Sequence, residues 1–196
     1  MLILTSTPPF HELRHVFARL PWKKAHRPFI RRNPLSKYLR TSWLWEKVRV
    51  QGGAYGGFCV FDHRSGGFTF LSYRDPNLLA TLDIYDQTAA FLRESELSQD
   101  ELTKSIIGAI GEVDQYQLPD AKGYSSMLRY LVGDTDEIRQ RMREEILATS
   151  AADFQAFADA LEQVVDRGLV VVLGSQSAIE AANAERAGWL DVSKVL

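Results

Sequence analysis

Apolar positions recur with helical or strand spacing from Ser36 to the end of the chain, and the period changes most abruptly between Trp43 and Asp62, in WLWEKVRVQGGAYGGFCVFD. Trp43, Leu44 and Val48 stand at helical intervals and predict a helix from Ser36 to about Val48. Gly52-Gly53 offers positive-φ positions that end a helix without a Cβ penalty. From Ala54 the period falls to two, which predicts a strand over 54–61 with Tyr55, Gly57, Cys59 and Phe61 on one face and Gly56 and Phe58 on the other. DHRSGG, 62–67, reads as a hairpin turn into a second, antiparallel strand ending near Tyr73.

Helices follow, each with its own boundary signals. Asp75 is the expected cap of a helix with Pro76 at its first position and Leu79, Leu82, Tyr85, Ala89 and Leu92 as its buried stripe. Ser98 with Glu101 spells a capping box before Leu102, Ile106, Ile110 and Val113. After a loop at YQLPDAKG, helices are predicted over 121–132, ending at Gly133, and after Thr135, packing Ile138, Met142 and Ile146. Ser150 with Asp153 opens another, with Phe154, Phe157, Leu161 and Val164 buried and Gly168 at its end. LVVVL, 169–173, is a continuous apolar run of strand length and belongs inside a sheet, and Ser177 with Glu180 caps a last helix ending at Gly188. The fold class expected is α/β, or α+β layered: one mixed or antiparallel sheet with helices on one face.

Composition fits this picture for most of the chain and changes it at the start. With 45% hydrophobic and 24% charged residues over 196 positions, one globular core is affordable and a disordered or fibrous chain is excluded. The single cysteine, Cys59, rules out an internal disulfide framework and fits a reducing compartment. No apolar run approaches membrane-spanning length, so no membrane partner is expected. Residues 1–40, however, carry nine Lys/Arg against one acid, leaving fourteen against twenty-four for residues 41–196. Pro8, Pro9, Pro21, Pro28 and Pro34 leave room in this leader for only one short helix, around residues 10–20. The division expected is therefore a basic leader, 1–35, that packs as an appendage, and a domain, 36–196. An organelle transit segment, a basic arm and sequence foreign to the fold are three readings of the leader. No aromatic-interleaved basic stripe follows it, so no nucleic-acid partner is expected.

Two places carry candidate chemistry. In HELRH, His11 and His15 stand at i and i+4 with Glu12 beside them, the helical arrangement that holds zinc in one class of metallopeptidase. Arg14 between the histidines, prolines on both sides and the lack of a third ligand favour coincidence, and His26 and His63 stand alone. The second place is the glycine patch. Gly52, Gly53, Gly56 and Gly57 leave room for another backbone, such as an extended peptide, to come close. Arg49 at the helix end carries a fixed fork of donors, and Tyr55 carries one phenolic donor on a stiff ring. Together they suit the carbonyl of a bound peptide and the charge that develops on it in hydrolysis. A surface arginine near a helix C-terminus and a core tyrosine are the plainer alternative.

From about Ser36 onward, SKYLRTSWLWEKVRVQGGAYGGFCVFD, FLSYRDPNLL, IIGAIGEVDQYQLPDAKGYSSMLRYL and REEILATS closely resemble the C-terminal region of the presequence protease family. That family lies within the pitrilysin and insulin-degrading enzyme superfamily of inverted-zincin metallopeptidases. The resemblance implies four related α/β domains in two halves that close over a chamber, with zinc bound in the N-terminal half by His-x-x-Glu-His and a distal glutamate. This chain has no such string, so zinc in the intact enzyme is implied to be bound by residues absent from it. The distal arginine and tyrosine that complete the family's site fall on Arg49 and Tyr55. What the resemblance implies is the substrate-clamping part of a zinc endopeptidase that degrades targeting presequences and short unfolded peptides, partnered by its N-terminal metallopeptidase half. The chain alone is then expected to be inactive. The location implied is the mitochondrial matrix or plastid stroma in a eukaryote, or the cytoplasm in a bacterium. The competing functions are a non-catalytic peptide-binding or assembly module of the same superfamily and a free-standing zincin using His11, Glu12 and His15.

Overall fold

The computed structural model describes residues 3–5, 13–19, 32–62, 66–187 and 189–194. Strands β1 (Ile3–Thr5) and β2 (Leu13–Arg19) precede helix α1 (Arg32–Thr41) and a seven-residue π-helix (Trp45–Gln51). The hairpin β3 (Gly56–Asp62) and β4 (Gly67–Tyr73) follows. Then come α2 (Leu78–Asp86), α3 (Thr88–Glu94), α4 (Gln99–Val113), α5 (Pro119–Leu131), α6 (Asp136–Leu147) and α7 (Ala151–Arg167). Strand β5 (Leu169–Gly174), helix α8 (Gln176–Glu185) and strand β6 (Val192–Lys194) complete the order.

The strands form one mixed sheet in the order β3-β4-β2-β5-β1-β6. As expected, β3, β4 and β5 share it, and β5 is interior. β3 pairs antiparallel with β4, β4 with β2 and β2 with β5, while β1 runs parallel to β5 and β6. The helix expected around residues 10–20 is not what forms: Leu13–Arg19 is extended, and its whole length pairs with β4. A short helix hemmed in by prolines is marginal by itself, whereas an extended segment between two strands satisfies its N–H and C=O groups on both sides. The leader therefore supplies two strands of the sheet and is not an appendage there. His11, Glu12, His26, His63 and Gly188 lie outside the described residues, as do positions 63–65 of the hairpin turn.

Burial alternates along the hairpin and shows which face the helices cover. Cys59, Phe61, Phe68, Phe70 and Ser72 are buried, whereas Phe58 and Val60 are 41% and 52% exposed on the opposite, open face. The helix-side core joins Phe68 and Phe70, edge to face at 4.9 Å, to Phe157 of α7 and Tyr85 of α2. Leu35, Leu39, Leu44 and Val48 are fully buried beside them. Burial pushes the Cys59 thiol up to about 12, and its Sγ donates to the Ser36 carbonyl at 3.5 Å, so Cys59 serves as a core residue.

Several element boundaries differ from the pattern for local reasons. The single helix expected over 36–48 is divided: α1 ends at Thr41, Ser42 Oγ donates back to the Tyr38 carbonyl at 2.6 Å, and the backbone opens into π-turns from Trp45. Asp75 does not cap directly: its Oδ1 accepts from the Asn77 N–H at 2.9 Å, and Asn77 is the residue preceding α2. The long helix expected beyond it divides at Gln87 into α2 and α3. Helix α8 is capped by Ser175, two residues earlier than expected, and Ile138 is 41% exposed where packing was expected. The capping boxes at Ser98 and Ser150 form as read. No helix among the described residues is long and apolar enough to cross a membrane.

Candidate functional site

The π-helix, the turn 52–55 and the loop 74–77 after β4 are fastened to one another. Lys47 and Arg49 carbonyls each accept an N–H, from Gly52 and Gly53, at 3.0 Å, and the Val48 carbonyl accepts from Ala54 at 3.1 Å. Gly53 has φ +75°, a conformation that favours glycine. Gly52 does not share it: with φ −78° it is glycine because a Cβ there would stand 2.6 Å from the Val48 carbonyl oxygen. Across the gap, Asn77 Nδ2 donates to the Gly52 carbonyl, and the Tyr55 N–H donates to the Arg74 carbonyl at 3.3 Å. Trp43 anchors the same unit to the helix layer, its Nε1 donating to Ile84 O at 3.2 Å and to Thr88 Oγ1 at 3.1 Å.

This backbone presents Arg49 and Tyr55 to solvent. Tyr55 precedes the first residue of β3, and instead of sharing the buried face with Gly57, Cys59 and Phe61 it is 63% exposed. Its ring packs edge to face on Tyr73 at 5.9 Å, and the parity of β4 puts Tyr73 on the open face. Arg49 is exposed near the end of the π-helix, where its guanidinium stacks 4.1 Å from the Trp45 ring centroid. Arg74, φ +49°, is the one non-glycine with positive φ among the described residues, and its guanidinium lies 5.6 Å from the Tyr55 and Tyr73 rings alike.

The other glycines fall in two groups. Gly56 lies on the open face beneath the Phe58 ring, 2.5 Å from where a Cβ would stand. Gly57 faces the helices, and a Cβ there would meet Val48 Cβ at 2.9 Å, so its missing side chain is taken up by close packing of β3 on the π-helix. Sequence reasoning missed Arg74, Tyr73 and Asn77 as parts of this site, although the SYRDPN string that holds them was in view. Among the described residues no group of three or more His, Cys, Asp or Glu is placed to hold a metal ion. His15 lies in strand β2, which excludes the helical i, i+4 arrangement for that histidine.

The same α/β layering is found in solved peptidase domains. An inactive peptidase domain from Bordetella parapertussis matches with a TM-score of 0.65 at 16% identity, covering 83% of this chain and 92% of that one. Pitrilysin matches with a TM-score of 0.62 at 17% identity, covering 88% of this chain and 19% of that one. The fold is thus that of a pitrilysin-type peptidase domain. The PreP C-terminal domain model matches residues 32–176, and the chain belongs to that family. It is 60% identical over 162 residues to presequence protease 1, chloroplastic/mitochondrial, of Arabidopsis thaliana. That match takes in 83% of this chain and 15% of the relative's length.

Proposed function

We propose that this domain is the C-terminal, substrate-clamping part of a zinc metalloendopeptidase that degrades targeting presequences and other short unfolded peptides. The observation that carries the reading is that Tyr55, continuous in sequence with a buried strand face, is turned out onto the open face of the sheet by a turn whose Gly53 N–H bonds the carbonyl of the exposed Arg49. A phenolic donor and a guanidinium fork fixed on one exposed unit suit a peptide carbonyl whose oxygen becomes negative as it is attacked. Of the four glycines, Gly53 is the one that leaves room for an extended peptide, a Cβ there meeting only Pro76 Cγ at 3.9 Å, whereas Gly52 lies against the Val48 carbonyl, Gly56 beneath the Phe58 ring and Gly57 against Val48. Zinc and the general base belong to an N-terminal metallopeptidase half. The described residues do not fit that metal, and the chain alone does not hydrolyse peptides. The family match beginning at residue 32 supports a separate origin for the leader, even though its strands enter the sheet. The name of the Arabidopsis relative supports the mitochondrial matrix or plastid stroma for a eukaryotic source.

The test is a graft in which the 162 matching residues of the Arabidopsis protease are replaced by those of this chain. Arg49→Lys in the graft keeps the charge and loses the fork. Substrate held through that fork before reaction makes KM rise several-fold, with a smaller fall in kcat. Steady-state hydrolysis of an unstructured peptide measures both, and unchanged constants would remove Arg49 from the clamp.

A further inference from the structure

We propose that Arg74 is a positioning residue for Tyr55, holding the phenol in its working orientation through contacts to its backbone and ring. This inference rests on the clamp reading of Tyr55. Three contacts converge on it. The Arg74 carbonyl accepts the Tyr55 N–H at 3.3 Å and fixes where the Tyr55 backbone leaves the turn. The Arg74 guanidinium stands 5.6 Å from the Tyr55 ring centroid, within reach of the negative face of an aromatic ring. The same guanidinium is 5.6 Å from the Tyr73 ring, and Tyr73 meets Tyr55 edge to face at 5.9 Å, so the three side chains close a triangle.

The backbone at Arg74 gives the independent reason to assign it a task. A φ of +49° is unfavourable for a long side chain such as arginine's; glycine removes the cost and asparagine lessens it. Neither would carry a guanidinium to the two rings. Strain of this kind persists where the surroundings over-determine it, and here they do: Asp75 is buried with its Oδ1 on the Asn77 N–H, and Asn77 Nδ2 bonds the Gly52 carbonyl. The loop that forces Arg74 into the left-handed region is thus the loop that fastens the turn before Tyr55. Among the described residues Tyr55 is 63% exposed, and the contacts to Tyr73 and Arg74 are the ones that select its ring orientation.

Arg74→Gly removes the guanidinium while suiting the backbone, so the fold is retained, and Arg74→Asn serves as a second variant on the same logic. In the full 196-residue chain, the aromatic NMR signals of Tyr55, assigned through Tyr55→Phe, are expected to carry a ring-current shift from Tyr73. Arg74→Gly moves them toward the free-tyrosine position without lowering the unfolding temperature, and Arg74→Lys restores part of the shift. Tyr55 signals unchanged in Arg74→Gly and Arg74→Asn overturn the proposal. In the graft, kcat falls about tenfold in Arg74→Gly with KM nearly constant, since a displaced donor costs rate more than binding. That fall disappears in the Tyr55→Phe background, because both changes act on one hydroxyl. A full tenfold fall in that background contradicts action through Tyr55. Should Tyr55→Phe itself turn over like the parent, the clamp reading fails, while the NMR shift still decides whether Arg74 orients the ring.

Discussion

Tyr55→Phe in the graft is expected to lower kcat about a hundredfold, on the order of 3 kcal/mol, with KM changed little. The substitution keeps the ring, so its edge-to-face contact with Tyr73 and the approach of the Arg74 guanidinium survive. Only the hydroxyl is lost. A donor aimed at an oxygen that acquires charge during attack is stronger in the transition state than in the bound substrate, so its removal appears in turnover. The residue is 63% exposed and removing the hydroxyl leaves no buried group unsatisfied, so no stability change should accompany the loss. Steady-state rates with one unstructured peptide and a thermal unfolding curve separate these outcomes. Equal turnover would make Tyr55 a surface aromatic.

The largest effect on stability is expected from deleting residues 1–20. β2 lies between β4 and β5, paired with β4 from Leu13↔Tyr73 to Arg19↔Gly67 and with β5 from Leu13↔Leu173 to Phe17↔Leu169. Without it the β3-β4 hairpin and β5 have no strand connecting them, and both expose rows of unpaired backbone groups. β1, which joins β5 to β6, goes as well. A domain whose net stability is about 5–15 kcal/mol does not absorb the loss of two interior ladders, each hydrogen bond contributing about 1 kcal/mol. The truncated chain should show no cooperative thermal transition, or one lowered by well over ten degrees, and should associate through its free edges. A transition within a few degrees of the parent would place β2 outside the stable sheet.

What was legible in the sequence was what neighbouring residues decide. Ser98 with Glu101 and Ser150 with Asp153 each close a capping box within one turn, and Leu169–Leu173, an apolar run of strand length, forms the interior strand β5. What was not legible depends on residues far apart. Leu13–Arg19 mixes basic and apolar residues without a clean period of two, and it becomes a strand because β4 and β5 offer it two edges. Tyr55 was read as the first residue on a strand face, but its N–H goes to the Arg74 carbonyl and the strand begins one residue later. That partner is nineteen positions away, and nothing in SYRDPN announces that Arg74 takes a left-handed conformation. The π-helix was read as ordinary helix because Leu44 and Val48 keep helical spacing in either form. Arg49 and Tyr55 stand out in the sequence as polar groups flanking a glycine turn, and their exposure comes only with the fold. Their neighbours Trp45, Tyr73 and Arg74, which fix the side chains, came only with the fold.

The central claim is that this domain lends a peptidase the arginine and tyrosine of its clamp, and the graft carrying Arg49→Ala together with Tyr55→Phe tests it most directly. The parent graft should hydrolyse an unstructured peptide, and the double variant should fall to background while unfolding at the parent's temperature. A double variant that hydrolyses the peptide at the parent's rate would contradict the account.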